Sequence, residues 1–206
     1  MGLQMRDRCV KCRRLNTKLF LKGERCFTNK CALEKRKWSP RISERRMSQY
    51  ARQLREKQKL RLKYGIMETQ FRHYYEKAEK TGGVTGEELL RILERRLDNV
   101  VWRLGWASSR RQARQLISHG HFTINGRKVK TPSYLVREGD VIEVKDKSKK
   151  MDLIKQNVQS SSRQVSPEWL DTDNESLKAI VRRLPEKDEL DKEIDTSLIV
   201  EYYSRR

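Results

Sequence analysis

At 206 residues with 37% charged side chains, against roughly 25% in an ordinary soluble domain, the chain is too polar to build one large core. Its formal net charge of +20 points to a polyanionic partner, with nucleic acid ahead of an anionic membrane surface. No apolar run approaches the roughly 18 residues of a membrane span and the N-terminus lacks a signal-peptide core, so the expectation is a cytoplasmic chain with reduced thiols.

All four cysteines fall in the first 31 residues, as Cys9-x2-Cys12 and, after thirteen intervening residues, Cys26-x4-Cys31. Two short-range pairs at that separation fit a tetrahedral four-thiolate zinc site, with Gly23 supplying a tight turn ahead of the second pair. Lys11, Arg13, Arg14 and Arg25 offset the negative charge of such a site. No histidine or carboxylate stands ready as an open position, so the metal reads as structural, with an iron–sulfur cluster as the alternative that spacing alone does not separate.

From Lys35 to Lys63 there are twelve Lys/Arg against two acids. A helix is predicted beyond Ser48, with a thin stripe of Tyr50, Leu54 and Leu62 that ends at Gly65. So narrow a stripe buries little, and the cations around it are too many for a merely solvated surface. A further helix runs to about Lys80 with Met67, Phe71, Tyr74 or Tyr75, and Ala78 inward, and Gly82-Gly83 breaks it.

The stretch from Glu87 to Val144 is the organising one. It opens with one amphipathic helix, capped by Thr85 and Glu88 and stopped by Gly105, in which Leu89, Leu90, Leu93, Leu97, Val100, Val101 and Leu104 recur at helical spacing. A second helix starts at Ser109, with a Ser109/Gln112 capping box and Arg110, Arg111 and Arg114 in its first turns. Cations there oppose the macrodipole, a conflict that an arriving phosphate relieves. After Gly120 the period changes to two. His121 to Ile124 reads as a strand with Phe122 and Ile124 inward, Asn125-Gly126 as a hairpin turn, Arg127 to Lys130 as the return strand, and Val141 to Val144 as a third strand after Gly139-Asp140.

Beyond a basic run at Lys147 to Lys150, Met151, Ile154 and Val158 suggest a short helix and Ser160 to Ser162 a turn. Charge then reverses: Glu168 to Asp195 holds ten acids and five bases. That face should avoid RNA and receive a basic protein neighbour. Ala179-Ile180-Val181, Leu184 and Leu198 to Tyr203 are too apolar for disorder and predict ordered packing.

The run from Ser109 to Ile117, then Gly120 to Val129 and Gly139 to Ile142, resembles a small RNA-binding fold shared by a ribosomal protein, certain pseudouridine synthases and a tRNA synthetase. Together with Lys18 to Cys26, Lys30 to Glu34, Gln53 to Arg61, Arg96 to Val101, Arg183-Leu184-Pro185 and Leu198 to Ser204, it is similar across nearly the whole chain to the bacterial small ribosomal subunit protein four family, primary binders of 16S rRNA. The opening Met1 to Arg8 departs from that family's usual start. The resemblance implies an α+β protein in three parts. These are an N-terminal four-cysteine zinc-knuckle segment with a basic linker (1–47), an all-helical domain (48–94 with 189–206), and an inserted small α/β RNA-binding module (95–188, core 95–145). It further implies residence in the cytoplasmic ribosome, nucleation of subunit assembly at a multi-helix rRNA junction, and contact with a neighbouring ribosomal protein where mRNA arrives, which influences decoding accuracy. Some relatives also repress their own mRNA.

On this reading Arg110, Arg111 and Arg114, with Arg127 and Lys128 on the hairpin, meet phosphates, while Arg45, Arg46, Arg52, Arg55, Lys57, Lys59 and Arg61 grip flanking RNA helices. No membrane and no small-molecule substrate are expected. Two rivals remain. A pseudouridine synthase-like enzyme draws on Arg96-Leu97-Asp98, which resembles the Gly-Arg-Leu-Asp run of those enzymes, although Arg95 stands in place of the glycine and Asp98 reads as a helix-surface partner of Arg95 or of the neighbours of Trp102. A zinc-bearing stress or rescue factor could carry the same module. His119 and His121 read as loop or RNA-facing residues, because no nucleophile or carboxylate motif accompanies them.

Overall fold

The computed structural model describes residues 8–34, 47–161 and 167–205. The atypical start, the cations from Lys35 to Arg46, Arg45 and Arg46 among them, and Ser162 lie outside the described residues. In chain order the helices are α1 (Arg8–Leu15), α2 (Gln49–Tyr64), α3 (Glu68–Glu79), α4 (Thr85–Glu94), α5 (Leu97–Arg103), α6 (Arg110–His119), α7 (Asp146–Lys149), α8 (Asp152–Ser161) and α9 (Thr196–Ser204). The strands are β1 (Phe122–Ile124), β2 (Arg127–Val129), β3 (Val141–Val144), β4 (Leu170–Asp173) and β5 (Lys178–Val181). Two compact units result, Met1–Leu89 with Asp191–Arg206, and Leu90–Leu190.

In the first unit α2 packs against α9. Ser48 caps α2 by accepting from the Ala51 N–H at 3.3 Å, and Gly65, at φ 64°, closes it with its own N–H on Leu62 O. The buried residues of α2 are Gln53, Lys57, Leu60, Lys63 and Tyr64, not the Tyr50, Leu54, Leu62 stripe. Tyr50 is half exposed. The reason is that α9 offers acceptors and rings. Gln53 Nε2 donates to Glu201 Oε2 at 2.7 Å, and Lys57 Nζ sits 4.6 Å from the Tyr202 ring centroid. α3 buries Phe71, Tyr74, Tyr75 and Ala78, with the Tyr75 and Tyr203 rings 4.5 Å apart. Gly86 lets the start of α9 come close, since a Cβ there would stand 2.5 Å from Thr196 Oγ1.

In the second unit the expected single helix from Glu87 to Leu104 is two. Arg96 leaves helical geometry at ψ 134° and bridges to Leu135, and α5 restarts with the Leu97 N–H on Tyr134 O and the Asp98 N–H on Pro132 O. The loop from Pro132 to Val136 thus caps α5 in place of another turn of helix. The N-terminal cap moves too: α4 begins at Thr85 itself, with the Glu88 N–H on Val84 O.

Against α5 and α6 lies an antiparallel sheet in the order β2-β1-β3-β5-β4. Its hairpin turns at Asn125 and Gly126, both at positive φ, as a two-residue turn between right-twisted strands requires. Sequence reading gave three strands, whereas the acidic tail supplies two more. β5 pairs with β3 in the register Ile142↔Ala179, and Asp173 closes the β4–β5 turn by accepting from Glu175 N, Ser176 N and Ser176 Oγ. Trp106, Trp169, Phe122, Leu97 and Ile142 fill the core between helices and sheet. From α8, Ile154 joins that core, while the buried Asn157 donates to Trp106 O at 3.1 Å. Among the described residues no helix is long and apolar enough to cross a membrane.

Candidate nucleic-acid interface

The cation-rich start of α6 rests on a buried polar network from α4 and α5. Asp98, 1% exposed, accepts from Arg96 Nε and Nη2 at 3.0 and 2.8 Å and from Arg114 Nη2 at 2.5 Å. Glu94, equally buried, accepts from Arg103 Nη2 at 2.8 Å and Asn99 Nδ2 at 2.7 Å, and Asn99 Oδ1 accepts from Arg110 Nε at 2.7 Å. The Arg110 guanidinium lies 3.9 Å from the Trp102 ring centroid. Arg110 is therefore an interior residue that holds α6 in place, and Arg114 has one edge on Asp98 and part of its surface in water. Asp98 is no helix-surface residue, and its partners are Arg96 and Arg114 in place of Arg95. Ser109 caps α6 through the Gln112 N–H, but the Gln112 side chain accepts from Ser108 N, one residue earlier than the reciprocal box predicts.

The exposed cations gather at the other end of α6. Gly120, at φ 77°, ends the helix in a left-handed turn, and a Cβ there would run into the Lys128 side chain, with the end of Lys130 in ordinary contact beside it. Lys145 stands beside them: loss of solvation and the Lys128 and Lys130 ammoniums hold it below the usual lysine range. His121 is likewise held down, by burial and then by His119, Lys145 and Lys128, and its Nδ1 lies 2.9 Å from Ser148 Oγ. Three elements thus converge five basic groups on one helix end. Arg111 and Arg127 are exposed, on α6 and β2. Glu143, on the exposed side of the same sheet, pairs with Lys178 at 3.1 Å.

The α2 cations divide. Lys57, 3% exposed, donates to Glu68 Oε1 at 2.5 Å and lies among aromatic rings, so it serves the α2–α9 contact. Burial raises the Glu68 carboxyl, but hydrogen bonds from Lys57 and Tyr203 outweigh it and leave Glu68 below the usual range, while burial and the facing carboxylate push Tyr203 up. Arg52, Arg55 and Lys59 line an open cleft with Glu56 and Thr17, Arg52 being the most exposed of the three. Arg55 Nη2 reaches back to Leu15 O at 2.7 Å, Lys59 Nζ donates to Glu193 O at 2.5 Å, and Arg61 approaches Glu68 Oε2 at 3.4 Å. The acidic tail is therefore spent in part inside the protein: Asp191 and Glu193 hold Lys63, and Glu189 holds Arg183.

Cys9, Cys12, Cys26 and Cys31 all line one small cavity between α1 and the 3-10 turn Gly23–Cys26. The Lys22 N–H points at Cys26 Sγ from 3.4 Å, and burial followed by the neighbouring sulfurs pushes the Cys12 and Cys26 thiols up. Among the described residues no three Cys, His, Asp or Glu side chains are placed as they would be around an ion. The four cysteines share one cavity without a disulfide among them.

Residues 5–94 match the family described as the ribosomal protein S4/S9 N-terminal domain, and residues 95–142 match the S4 domain. The small ribosomal subunit protein uS4 of Pelotomaculum thermopropionicum is 52% identical over 200 residues, 96% of each chain. Those of Thermodesulfovibrio yellowstonii and Clostridioides difficile are 50% and 52% identical over the same share. The chain belongs to the uS4 family of small ribosomal subunit proteins. As a uS4 member it is a constituent of a ribonucleoprotein and not an enzyme, and Asp98 has a structural task in place of the catalytic one that Arg96-Leu97-Asp98 suggested. Sequence reading missed Lys130 and Lys145 as parts of this uS4 chain's basic cluster. Its only signal for Lys145 was a lone lysine at a strand end, and the strand pairing that sets it beside Lys128 is non-local.

Proposed function

We propose that this chain binds 16S rRNA directly at a multi-helix junction, nucleates folding of the surrounding subunit body, and influences translational accuracy through a neighbouring ribosomal protein. The observation that carries the reading is the basic cluster around Gly120, where the charges that perturb Lys145 are themselves cations. A folded protein holds like charges together at a cost, and phosphates bound there reverse its sign. A-form RNA presents phosphates and 2′-hydroxyls more readily than base edges, so recognition rests on shape. Within the module, Arg111, Arg127, Lys128, Lys130 and Lys145 take phosphates, Arg114 offers its outer edge, and Arg110 acts from inside by fixing α6. Arg52, Arg55 and Lys59 take flanking RNA in the first unit, joined by Arg45, Arg46 and Arg61.

We read the chain as an N-terminal segment (1–47), a helical domain (48–94 with 189–206) and an inserted domain (95–188). The compactness of Leu90–Leu190 supports the insertion. Cys9, Cys12, Cys26 and Cys31 are read as ligands of a structural zinc ion. The cavity that the four sulfurs share supports that donor set, since two short-range pairs brought to one small volume are what a tetrahedral thiolate site requires. When bound, the ion supplies local folding energy. Partners on this reading are 16S rRNA, basic neighbouring proteins on the remaining acidic face, and mRNA passing nearby.

Chemical probing of naked small-subunit rRNA tests the proposal. Protection confined to one junction is expected. Equal binding to any acidic polymer, with no discrete protection, overturns it.

A further inference from the structure

We infer that Phe27, backed by Phe20, forms a shelf on which one unpaired base of the bound RNA stacks. Phe27 is 60% exposed, an outlay of apolar surface made at few places among the described residues. It is not a loose side chain. Its ring lies 4.9 Å from the Phe20 ring at 27°, so one face is already covered and the rest is open to solvent. Its backbone N–H is tied to Glu24 O at 2.9 Å at the end of the 3-10 turn.

Phe20 itself is held at φ 52°, in the left-handed region that bulky side chains avoid. Leu19 beside it is fully buried, which fixes the backbone on one side of the strained residue. A strained aromatic held beneath an exposed one is a rigid support that the local structure maintains against its own backbone preference.

The surroundings select the occupant. Between Lys18 and Lys30 there are four cations and one acid, and Lys22, Arg25 and Lys30 are exposed. Arg25 Nε also contacts Lys30 O at 3.4 Å, which holds the two ends of the 25–30 turn together. An open aromatic face within a basic rim suits a flat group that carries negative charge next to it, and a nucleotide is that group. Single-stranded RNA is bound by stacking of unpaired bases on aromatic rings with cations tracking the backbone. An apolar side chain from another protein would use the ring but leave the cations without a role.

The inference rests on the rRNA-binding reading and extends it to the N-terminal segment. The experiment uses the full chain and naked small-subunit rRNA, with affinity by filter binding and base accessibility by chemical probing, for wild type, Phe27→Ala, Phe27→Leu and Phe27→Trp. Expected are a loss of roughly 5- to 100-fold for Phe27→Ala, a comparable loss for Phe27→Leu, wild-type affinity for Phe27→Trp, and one unpaired base newly reactive in the two weak variants. The salt slope stays that of wild type, because no phosphate contact is removed. Wild-type affinity for Phe27→Ala overturns the shelf. So does full rescue by Phe27→Leu, which marks a greasy contact with another protein. Failure of wild type to bind rRNA at all is distinct from these: it removes the underlying function and the shelf with it.

Discussion

Replacing Asp98 by Asn keeps the shape of the side chain and removes its charge, which isolates what the buried carboxylate does. Asp98 accepts from Arg96 Nε and Nη2 and from Arg114 Nε and Nη2 at 2.5 to 3.1 Å. Arg114 has a side chain 31% exposed and can turn outward, whereas the Arg96 side chain is 5% exposed and has nowhere to go. The cost is thus set by Arg96, a buried cation that loses a two-point carboxylate contact, and amounts to about 3 to 5 kcal/mol. For a unit of this size that lowers Tm by roughly 12 to 40 °C. Tryptophan fluorescence is the assay, since Trp106 and Trp169 are buried in this unit's core and Trp102 sits under Arg110. Adding Arg96→Met to Asp98→Asn should restore part of the loss, because both members of the pair are then gone. A melting shift below about 4 °C for the single variant would refute the reasoning.

Three further outcomes follow from the same geometry. Chelation, or Cys9→Ser, should open residues 8–34 to protease while the tryptophan melt of the second unit stays put; an unchanged digestion pattern would remove the metal from the account. His121 is held below its ordinary value of 6.5, so the fold favours the neutral ring. Stability is then full above that value and declines as pH falls through it toward the lower folded value, while RNA phosphates reverse the preference. Affinity for rRNA should accordingly rise between about pH 7.5 and about pH 5.5, and His121→Asn should flatten the rise. Lys57→Met should leave the salt slope of RNA binding unchanged, since that ammonium is buried against Glu68 and Tyr202, whereas Arg52→Ala should lower it by roughly 0.7 to 0.9; equal effects would put Lys57 at the interface after all.

Local chemistry made much of this fold legible. Ser109 as a cap, Gly65 and Gly105 as stops, and Asn125-Gly126 as a hairpin each act over two to four residues, and each stands where the sequence put it. The family resemblance, built on ordered runs from Lys18 to Ser204, is upheld by the matches over 96% of the chain. What escaped reading is set by distant segments. The break at Arg96 exists because the Pro132 to Val136 loop supplies the acceptors for α5, nearly forty residues away in sequence. β4 was hidden because Leu170-Asp171-Thr172-Asp173 carries too many acids to look like a strand until β5 pairs with it. The interface followed the same division. A run of arginines shows that cations gather, but not which of them face inward, so Arg110 and Lys57 read as RNA contacts while each fills an interior site. Lys145 went unseen because its neighbours Lys128 and Lys130 come from another strand.

The salt dependence of rRNA binding for wild type and for the Lys128→Ala/Lys145→Ala pair tests most directly whether folded basic clusters grip the phosphate backbone. Expected are a steep log–log fall for wild type and a slope shallower by roughly 1.4 to 1.8 in the double variant, with folding intact. A flat wild-type slope, or an unaltered slope in the double variant, would contradict it.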